Sequence, residues 1–301
     1  MVLAAVGALA WYAAGSHRAA GTAPTSATTS LPAARSTTRP LEAEQPGWTA
    51  VTRDHKAIVV DRRSFALGDG HLVTIYRFRA GHVRFALHAG ASDPPGVASV
   101  VAPAQGERIA PAEASHVVAA FNGGFKVASK SGGFELDRRV FVPIRPGDAS
   151  LVIDENGSAR VGAWGVGLPR KGEHVESVRQ NLQLLVSAGA VSPKITDLAA
   201  WGSTLGNVPA VARSALGEDA RGNLLFAASM RALPADLATS LVHAGAVRAM
   251  QLDINPEWVQ LDSTPHPGGV LVAGIPNQNR PGNQYLVGWT RDFVTVMATR
   301  P

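Results

Sequence analysis

Short apolar runs separated by turn residues dominate the hydrophobic pattern of the chain. Leu72–Phe78 has the composition of a half-buried strand, and Val117–Phe121 is apolar throughout, which predicts a strand at the centre of a sheet. Asn156-Gly157 predicts a hairpin turn between strands at 151–153 and 159–161. The remaining predicted strands of this kind are Ala57–Val60, Val83–Ala89, Val97–Val101, Val140–Ile144 and Arg291–Thr299.

Two segments carry the apolar spacing of helices. Ser177–Ala188 would have one apolar face, and Gly189 follows it as a stop signal. Pro234–Ala244 begins with a proline suited to a first helical turn and is closed by Gly245. The apolar positions behind these predictions are Val178, Leu182, Leu185 and Val186 in the first segment, and Leu237 and Leu241 in the second.

Strands outnumber helices, and the two helices are interleaved with them irregularly. Between the helices, Ala210–Leu216 and Leu224–Ser229 flank Asp219–Gly222, which predicts another hairpin. The pattern therefore predicts an α+β fold: a mixed, largely antiparallel sheet with interleaved helices in a single domain. We place this domain at residues 46–301.

Residues 1–45 have a different character. Met1–Ala14 is apolar and uncharged, and a tail rich in Ser, Thr, Pro and Ala follows it. The run is shorter than the roughly 20 residues of a membrane-spanning helix, and no positive segment precedes it. It is either the remnant of a signal or anchor helix or an unusual leader. An apolar start followed by such a spacer predicts an exported, extracytoplasmic protein and leaves N-terminal membrane attachment open.

Composition removes several function classes. The 301 residues contain no cysteine, so thiol catalysis, thiolate metal sites and disulfides are excluded. The net charge is +5 with scattered arginines and no basic block, which argues against a nucleic-acid partner. No histidine pair of a metalloprotease, no nucleophile elbow and no phosphate-binding or dinucleotide-binding glycine loop is present.

The strongest candidate for chemistry is the segment after Met250. An apolar strand ends in Asp253 and is followed by Asn255, Pro256 and Glu257. Two carboxyls at the junction of a strand and a stiff loop are placed to act as acid and base over a cleft. The same pattern is also that of an ordinary strand end with an Asx-type turn and an exposed glutamate.

Polar groups in two further segments are candidates for binding. Asn122, Gly123 and Gly124 directly follow the predicted central strand, and paired glycines either admit a ligand close to backbone N–H groups or make a tight turn. Gln180 and Asn181 lie in the first turn of the predicted helix at 177–188. There they either hold an anion or a sugar hydroxyl near the helix N-terminus or simply cap the helix.

Arg213 is the remaining candidate. It interrupts an otherwise apolar predicted strand, and a buried guanidinium needs a partner. Its planar fork suits a carboxylate or a phosphate diester. Two interpretations stay open: a structural ion pair, with Asp253 or Asp219 as the carboxylate, and the binding of a ligand.

Taken in order, four segments resemble the phosphodiester glycosidase domain family, in its uncovering-enzyme-like and exopolysaccharide-related exported bacterial branch. The resemblance spans about residues 117 to 261. The chain departs from the family after Asp253, where the usual Gly-Gly-Gly-Ser is replaced by Ile254-Asn255-Pro256-Glu257. The matching segments are Ala119–Phe125, Arg179–Val186, Ala212–Gly217 with Gly222–Leu225, and Gly245-Ala246 with Met250–Asp253.

The resemblance implies a hydrolase that cleaves a sugar-1-phosphodiester in a cell-envelope or exopolysaccharide glycan. It implies catalysis by Asp253 and a phosphate held by Arg213. Glu257 lies outside the matched segments and is the candidate partner of Asp253 as a second carboxyl in the following loop. No cofactor is implied, and a divalent metal is left open. The alternative is a non-catalytic protein that binds an envelope glycan or phosphoglycan in the same cleft, which the altered loop favours. The residues expected to bind substrate are Asn122, Gly123, Gly124, Gln180, Asn181, Arg213 and Asn255.

Overall fold

A computed structural model describes residues 47–202, 204 and 208–299. The described residues lie in one compact unit. The apolar start, the spacer and the predicted domain boundary after residue 45 lie outside them, so these remain predictions. Within the described part of the chain, no helix is long and apolar enough to cross a membrane.

Strands make up most of the regular structure in the described ranges. The strands are β1 (Thr49–Asp54), β2 (Ala57–Ala66), β3 (Leu72–Phe78), β4 (Val83–His88), β5 (Val117–Asn122), β6 (Phe134–Leu136), β7 (Arg139–Val142), β8 (Ala149–Asp154), β9 (Ala159–Trp164), β10 (Gly167–Leu168), β11 (Val175–Gln180), β12 (Leu184–Ser187), β13 (Ala190–Val191), β14 (Val211–Asp219), β15 (Leu224–Ala232), β16 (Ala246–Ile254), β17 (Leu261–Ser263), β18 (Val272–Ala273) and β19 (Phe293–Ala298). The α-helices are α1 (Pro111–Ala114), α2 (Pro234–His243) and α3 (Gln284–Val287).

These strands form three sheets. An 8-stranded sheet has the order β1-β2-β3-β15-β14-β16-β12-β13, a 6-stranded sheet the order β10-β9-β8-β11-β6-β7, and a 5-stranded sheet the order β18-β17-β5-β19-β4. Within these sheets only β9 and β10 pair in parallel. The predicted antiparallel character is therefore confirmed. The helical share is smaller than an α+β fold suggests, and the described protein is dominated by sheet.

Strand β5 shows why the site lies deep in the molecule. All of Val117–Asn122 is buried, and the strand pairs with β17 and β19, as predicted for a central strand. Phe121 stacks on Phe78 of β3, with ring centroids 5.7 Å apart, and contacts Phe226 of β15 at 5.0 Å. These contacts join the 5-stranded and 8-stranded sheets in one apolar core, so a residue at the end of β5 lies at their junction.

Helix α2 confirms the prediction for the second helical segment. Leu237 and Leu241 are buried on the face that packs against the 8-stranded sheet. Pro234 occupies the first turn, and the Asp236 carboxylate accepts a hydrogen bond from the Leu233 amide at 2.7 Å. Local signals and packing agree here, because the apolar stripe, the cap and the stop signal all favour the same helix.

The first predicted helix is wrong. Residues 175–187 form strands β11 and β12, which belong to different sheets. Between the two strands Leu182 adopts a φ of 58°, in the left-handed region, which ends any regular run. Long-range pairing with β8, β6 and β16 overrides the helical spacing of the apolar residues. The predicted strand at 97–101 is also wrong, since that segment is a series of turns.

Candidate active site

Asp253 lies at the end of β16, where the three sheets approach one another. Its amide donates to the Gly123 carbonyl at 3.0 Å, which ties the end of β16 to the segment that follows β5. Its Oδ1 accepts a hydrogen bond from the amide of Ile254 at 2.8 Å. The residue is only 5% exposed. Asp253 therefore has a fixed orientation, as a catalytic carboxyl requires.

The partner of Asp253 is Arg291, which stands two residues before β19. Its Nη2 lies 2.9 Å from Asp253 Oδ2 and donates to the Gly124 carbonyl at 2.9 Å. Its Nε lies 3.2 Å from Asp93 Oδ2. The guanidinium thus joins two carboxylates and a backbone carbonyl, and it holds Asp253 against the loop after β5.

Burial controls the charge of Asp253. It raises the pKa of this carboxyl to about 7, although the Arg291 guanidinium and the Ile254 amide act in the opposite direction. The neighbouring Asp292 carboxylate adds to the increase. A carboxyl in this condition exchanges its proton near neutral pH, which is the property of a general base or acid.

Asp253 and Arg291 open into a cleft of ≈ 560 Å³. The loop after β16 forms one wall, where the ring of Trp258 has the Lys126 Nζ at 5.5 Å and the Arg291 Cζ at 5.2 Å from its centroid. Of the described residues that line the cleft, Asp253 is the one acid, and Lys126 and Arg291 are the cations. The lining residues are Phe125, Lys126, Ser129, Ser131, Leu182, Ala199, Gly202, Thr204, Val211, Asp253, Ile254, Asn255, Pro256, Trp258 and Arg291.

A buried ion pair supports this cleft from behind. Arg179 Nε and Nη2 bind Asp292 Oδ2 and Oδ1 at 2.7 and 3.2 Å, and both side chains are at most 1% exposed. Burial has the largest single effect and lowers the pKa of Arg179, but the carboxylates of Asp292, Asp93 and Asp253 together outweigh it, and the net pKa is raised. This bidentate contact ties β11 to the residue directly before β19.

The two glycines after Asn122 make room for this pair. The Gly124 amide donates to Asp292 Oδ2 at 3.2 Å, and the Gly123 amide donates to the Asp292 carbonyl at 2.9 Å. A Cβ atom on Gly124 would lie 2.8 Å from Arg179 Cζ, and one on Gly123 would overlap the Asp292 carboxylate. Both amides bind Asp292, so neither of them faces the cleft as the ligand interpretation expected.

Three of the four amide side chains of the predicted site, those of Asn122, Gln180 and Asn181, form hydrogen bonds within the interior. Asn122 donates to Ser214 Oγ at 2.9 Å and accepts from the Gln260 amide at 3.1 Å. Gln180 accepts from the Gly133 amide at 2.9 Å and donates to the Arg145 carbonyl at 2.9 Å. Asn181 also bridges chain segments: its Oδ1 accepts from the Phe125 amide at 3.3 Å, and its Nδ2 donates to the carbonyls of β16. Gln180 is the last residue of β11 and Asn181 directly follows it, so their predicted placement in the first turn of a helix is wrong.

Arg213 is fully buried on β14, and its guanidinium meets only neutral acceptors. It donates to the carbonyls of Ala232 and Trp201 and to Gln251 Oε1, each at 3.2 Å. Burial lowers its pKa to about 10. No carboxylate of the described residues lies within ion-pair distance, so the predicted ion pair with Asp253 or Asp219 is wrong. Arg213 is not one of the residues that line the cleft.

Arg213→Lys is therefore expected to lower stability instead of ligand affinity. A single ammonium reaches fewer of the acceptors that surround the guanidinium, and each buried acceptor left unpaired costs about 1–3 kcal/mol. The free energy of unfolding in urea is the measurement, with the exposed Arg62→Lys as a matched control. A variant of native stability with weakened ligand binding would restore the phosphate-binding role that the resemblance implies for Arg213.

Of the two polar residues in the loop after Asp253, Asn255 lines the cleft and Glu257 does not. The Glu257 carboxylate points away from the cleft lining: it pairs with Arg280 Nη2 at 2.5 Å and accepts from Asn279 Nδ2 at 2.9 Å. Asn255 does line the cleft, and its φ of 100° is one that asparagine tolerates better than most residues. Its Oδ1 accepts a hydrogen bond from the Glu257 amide at 3.0 Å. This bond stiffens the loop, in agreement with the stiff loop expected from Pro256.

Four residues of the site were missed by sequence reasoning: Lys126, Trp258, Arg291 and Asp292. The signal for the last two was an Arg-Asp pair directly before an apolar strand. Asp253 was identified by a similar signal, a charged residue at the end of an apolar strand, whereas Arg291 and Asp292 stand before the start of one. As to metals, no group of three or more His, Cys, Asp or Glu residues that could hold an ion occurs in the described ranges.

No protein-family profile and no curated protein matches the chain. Solved structures do. The catalytic domain of zebrafish N-acetylglucosamine-1-phosphodiester alpha-N-acetylglucosaminidase, auto-inhibited by its pro-peptide, matches with a TM-score of 0.51 and 15% identity, over 84% of this chain and 88% of that one. A hypothetical protein from Synechocystis has a TM-score of 0.43 at 13% identity, over 81% and 63% of the two chains. A protein from Burkholderia pseudomallei K96243 described as exported has a TM-score of 0.38 at 13% identity, over 75% and 74%.

At this identity the match with the zebrafish domain shows the fold alone. The chain is similar in fold to the catalytic domain of a phosphodiester glycosidase, which agrees with the fold implied by the sequence resemblance.

Proposed function

We propose that this chain is an exported hydrolase that cleaves a sugar-1-phosphodiester in a cell-envelope or exopolysaccharide glycan. One observation carries the proposal: the Asp253 carboxyl is buried, has a pKa of about 7, is held by Arg291 at 2.9 Å and lines a cleft large enough for a sugar. The shared fold supports the reaction class by analogy. Export rests on the N-terminal sequence.

A single carboxylate is sufficient for this chemistry. As base, Asp253 takes a proton from water while the water oxygen forms a bond to the anomeric carbon. The bond from that carbon to the phosphate oxygen breaks, and its electron pair leaves with the phosphate monoester. Because phosphate is a good leaving group, it needs less protonation than the alcohol of an ordinary glycoside. As nucleophile, the Asp253 carboxylate would itself bond to the anomeric carbon as the bond to the phosphate oxygen breaks and the phosphate monoester leaves. Water would then hydrolyse the glycosyl ester, which gives free sugar and the original carboxyl group.

The charges of the cleft favour an anionic substrate. Its described lining has Lys126 and Arg291 against Asp253, so it keeps a net positive charge when Asp253 is ionised. The aromatic side chain of Trp258 offers an apolar surface of the kind that sugar rings contact. An anionic glycoside combines both properties.

The alternative is a non-catalytic protein that binds an envelope glycan or phosphoglycan in this cleft. The loop of Asn255, Pro256 and Glu257 favours it, because a stiff wall stands where the family has flexible glycines. In that case the Asp253 carboxyl would bind sugar hydroxyls and no bond would be cleaved.

One assay separates the two functions. The purified chain is incubated with a panel of sugar-1-phosphodiesters that differ in sugar and in the group esterified to the phosphate, and sugar release is followed by chromatography. Catalytic release of free sugar and a phosphate monoester supports the hydrolase. Saturable binding to a panel member without release supports the binding protein, and the absence of both eliminates each function.

The pH dependence of hydrolysis follows from the pKa of Asp253. The ionised carboxylate is the active form of a base or nucleophile, so kcat/KM is expected to rise with pH and level off above an apparent pKa of about 7. Arg291→Met should move this limb to higher pH, because the guanidinium lowers the pKa that burial raises. A profile that falls through pH 7 would instead make Asp253 a general acid.

A further inference from the structure

We propose that Lys126 binds the anionic group of the substrate and so selects charged glycosides over neutral ones. The inference rests on the proposed function, since it identifies the residue that holds the phosphodiester. Arg213, which the resemblance implies for this task, is enclosed by neutral acceptors away from the cleft. The cleft has to supply another cation.

Lys126 has the right position. It immediately follows Phe125 in the loop after β5, it is exposed, and it lines the same cleft as Asp253. Its ammonium lies 5.5 Å from the centre of the Trp258 ring. The cation therefore lies above an aromatic wall at the open side of the cleft, while the carboxyl lies in its buried part.

Lys126 is also available to a ligand, in contrast to Arg291. Arg291 already contacts the carboxylates of Asp253 and Asp93 and the carbonyl of Gly124. No carboxylate of the described residues is within ion-pair distance of the Lys126 ammonium. An incoming phosphodiester would gain the attraction of Lys126 without breaking an existing ion pair.

The backbone on each side of Lys126 is fixed by the interior of the site. The Phe125 carbonyl accepts from Arg179 Nη2 at 2.5 Å, and the Phe125 amide donates to Asn181 Oδ1 at 3.3 Å. The Val127 amide donates to the two oxygens of Asp93 at 3.2 and 3.3 Å. Lys126 is thus a flexible side chain on an anchored backbone, which reduces the ordering cost of ligand binding.

A cation here also helps the proposed chemistry. A bound phosphodiester brings a negative charge toward Asp253, and a like charge disfavours the ionised form of a carboxyl. A lysine on the phosphate side offsets this charge and leaves Asp253 ionised for its role. Lys126 contributes through charge and not through a specific hydrogen-bond geometry, so arginine should replace it.

The test compares a charged and a neutral substrate that share the same sugar. Hydrolysis of N-acetylglucosamine 1-(methyl phosphate) and of 4-nitrophenyl N-acetylglucosaminide is measured for the wild type, Lys126→Met and Lys126→Arg. For Lys126→Met the ratio of kcat/KM for the charged over the neutral substrate should fall at least about tenfold, mainly through KM. Lys126→Arg should restore most of the ratio. Lys130→Met removes the same charge from an exposed position outside the cleft lining and should leave the ratio unchanged.

Calorimetric binding of the same methyl phosphodiester separates failure of this inference from failure of the proposed function. If the wild type binds without hydrolysis and Lys126→Met weakens binding, the hydrolase is wrong and Lys126 stands as an anion-binding residue. If Lys126→Met matches Lys130→Met in both binding and substrate ratio, the inference is overturned while any hydrolase activity stands. If the wild type neither binds nor hydrolyses this diester or any other diester of the panel, both are overturned.

Discussion

Asp253→Asn is expected to lower kcat/KM for a sugar-1-phosphodiester by at least about two orders of magnitude. The amide keeps the size of the side chain and its hydrogen bond to the Ile254 amide, but it can neither accept a proton from water nor attack the anomeric carbon. Folding should survive, because Arg291 keeps the Asp93 carboxylate and the Gly124 carbonyl as partners. Steady-state kinetics and the thermal midpoint of the same preparation are the measurements.

Glu257→Gln is the matched comparison for this variant. It neutralises a carboxyl four positions along the chain that pairs with Arg280 and does not line the cleft. Its effect on turnover should be much smaller. If Glu257→Gln abolished turnover while Asp253→Asn kept it, the catalytic carboxyl would lie in the loop of Asn255, Pro256 and Glu257. If the wild type binds a sugar-1-phosphodiester but does not hydrolyse it, the alternative of a non-catalytic binding protein is favoured.

Elements with strong local signals were predicted well. Helix α2 has a cap, an apolar stripe and a stop signal within its own residues, and the hairpin of β8 and β9 turns at Asn156-Gly157, where Gly157 has a φ of 78°. Strand β5 was found at the centre of a sheet because Val117–Phe121 is apolar throughout. In each of these, short-range physical chemistry decides the structure.

The segment at 175–187 shows where local signals fail. Its apolar residues have helical spacing, yet they serve two strands in different sheets, joined by a left-handed residue at Leu182. The partners of β11 are β8 and β6, whose pairing no window of neighbouring residues reveals. Because the segment was predicted as a helix, Gln180 and Asn181 were placed at a helix N-terminus and became candidate ligand-binding residues. In the structure their side-chain amides connect buried segments of the chain.

The candidate site was predicted only in part, because its charged residues meet partners that are distant in sequence. Asp253 was identified from its own strand end, and Arg213 was recognised as a buried cation that needs partners. The partners themselves depend on the tertiary fold: Arg179 and Asp292 are 113 positions apart. Only the assembly of β5, β11, β16 and β19 brings the Gly123-Gly124 segment, Asp253 and Asp292 together. The charged pair before β19 became meaningful only with that geometry.

Asp292→Asn is expected to have the largest effect on stability. The Asp292 carboxylate receives two hydrogen bonds from Arg179 and one from the Gly124 amide, and its side chain is 0% exposed. An asparagine offers one oxygen to these donors and turns an NH₂ group toward another of them. The buried Arg179 charge is left uncompensated, so the free energy of unfolding should fall by about 3–5 kcal/mol.

The matched control is Glu257→Gln, which neutralises the acid of a partly exposed Arg–carboxylate pair. There the loss should be at most about 1 kcal/mol, because solvent screens the pair. Urea unfolding of both variants and of the wild type gives the comparison. Equal losses of unfolding free energy in the two variants would mean that the buried Arg179–Asp292 pair contributes no more to stability than the Arg280–Glu257 pair. If Asp292→Asn folds and only this variant loses unfolding free energy, the double variant Arg179→Met/Asp292→Asn gives a further test. It should recover part of the stability, because the uncompensated guanidinium charge is then removed.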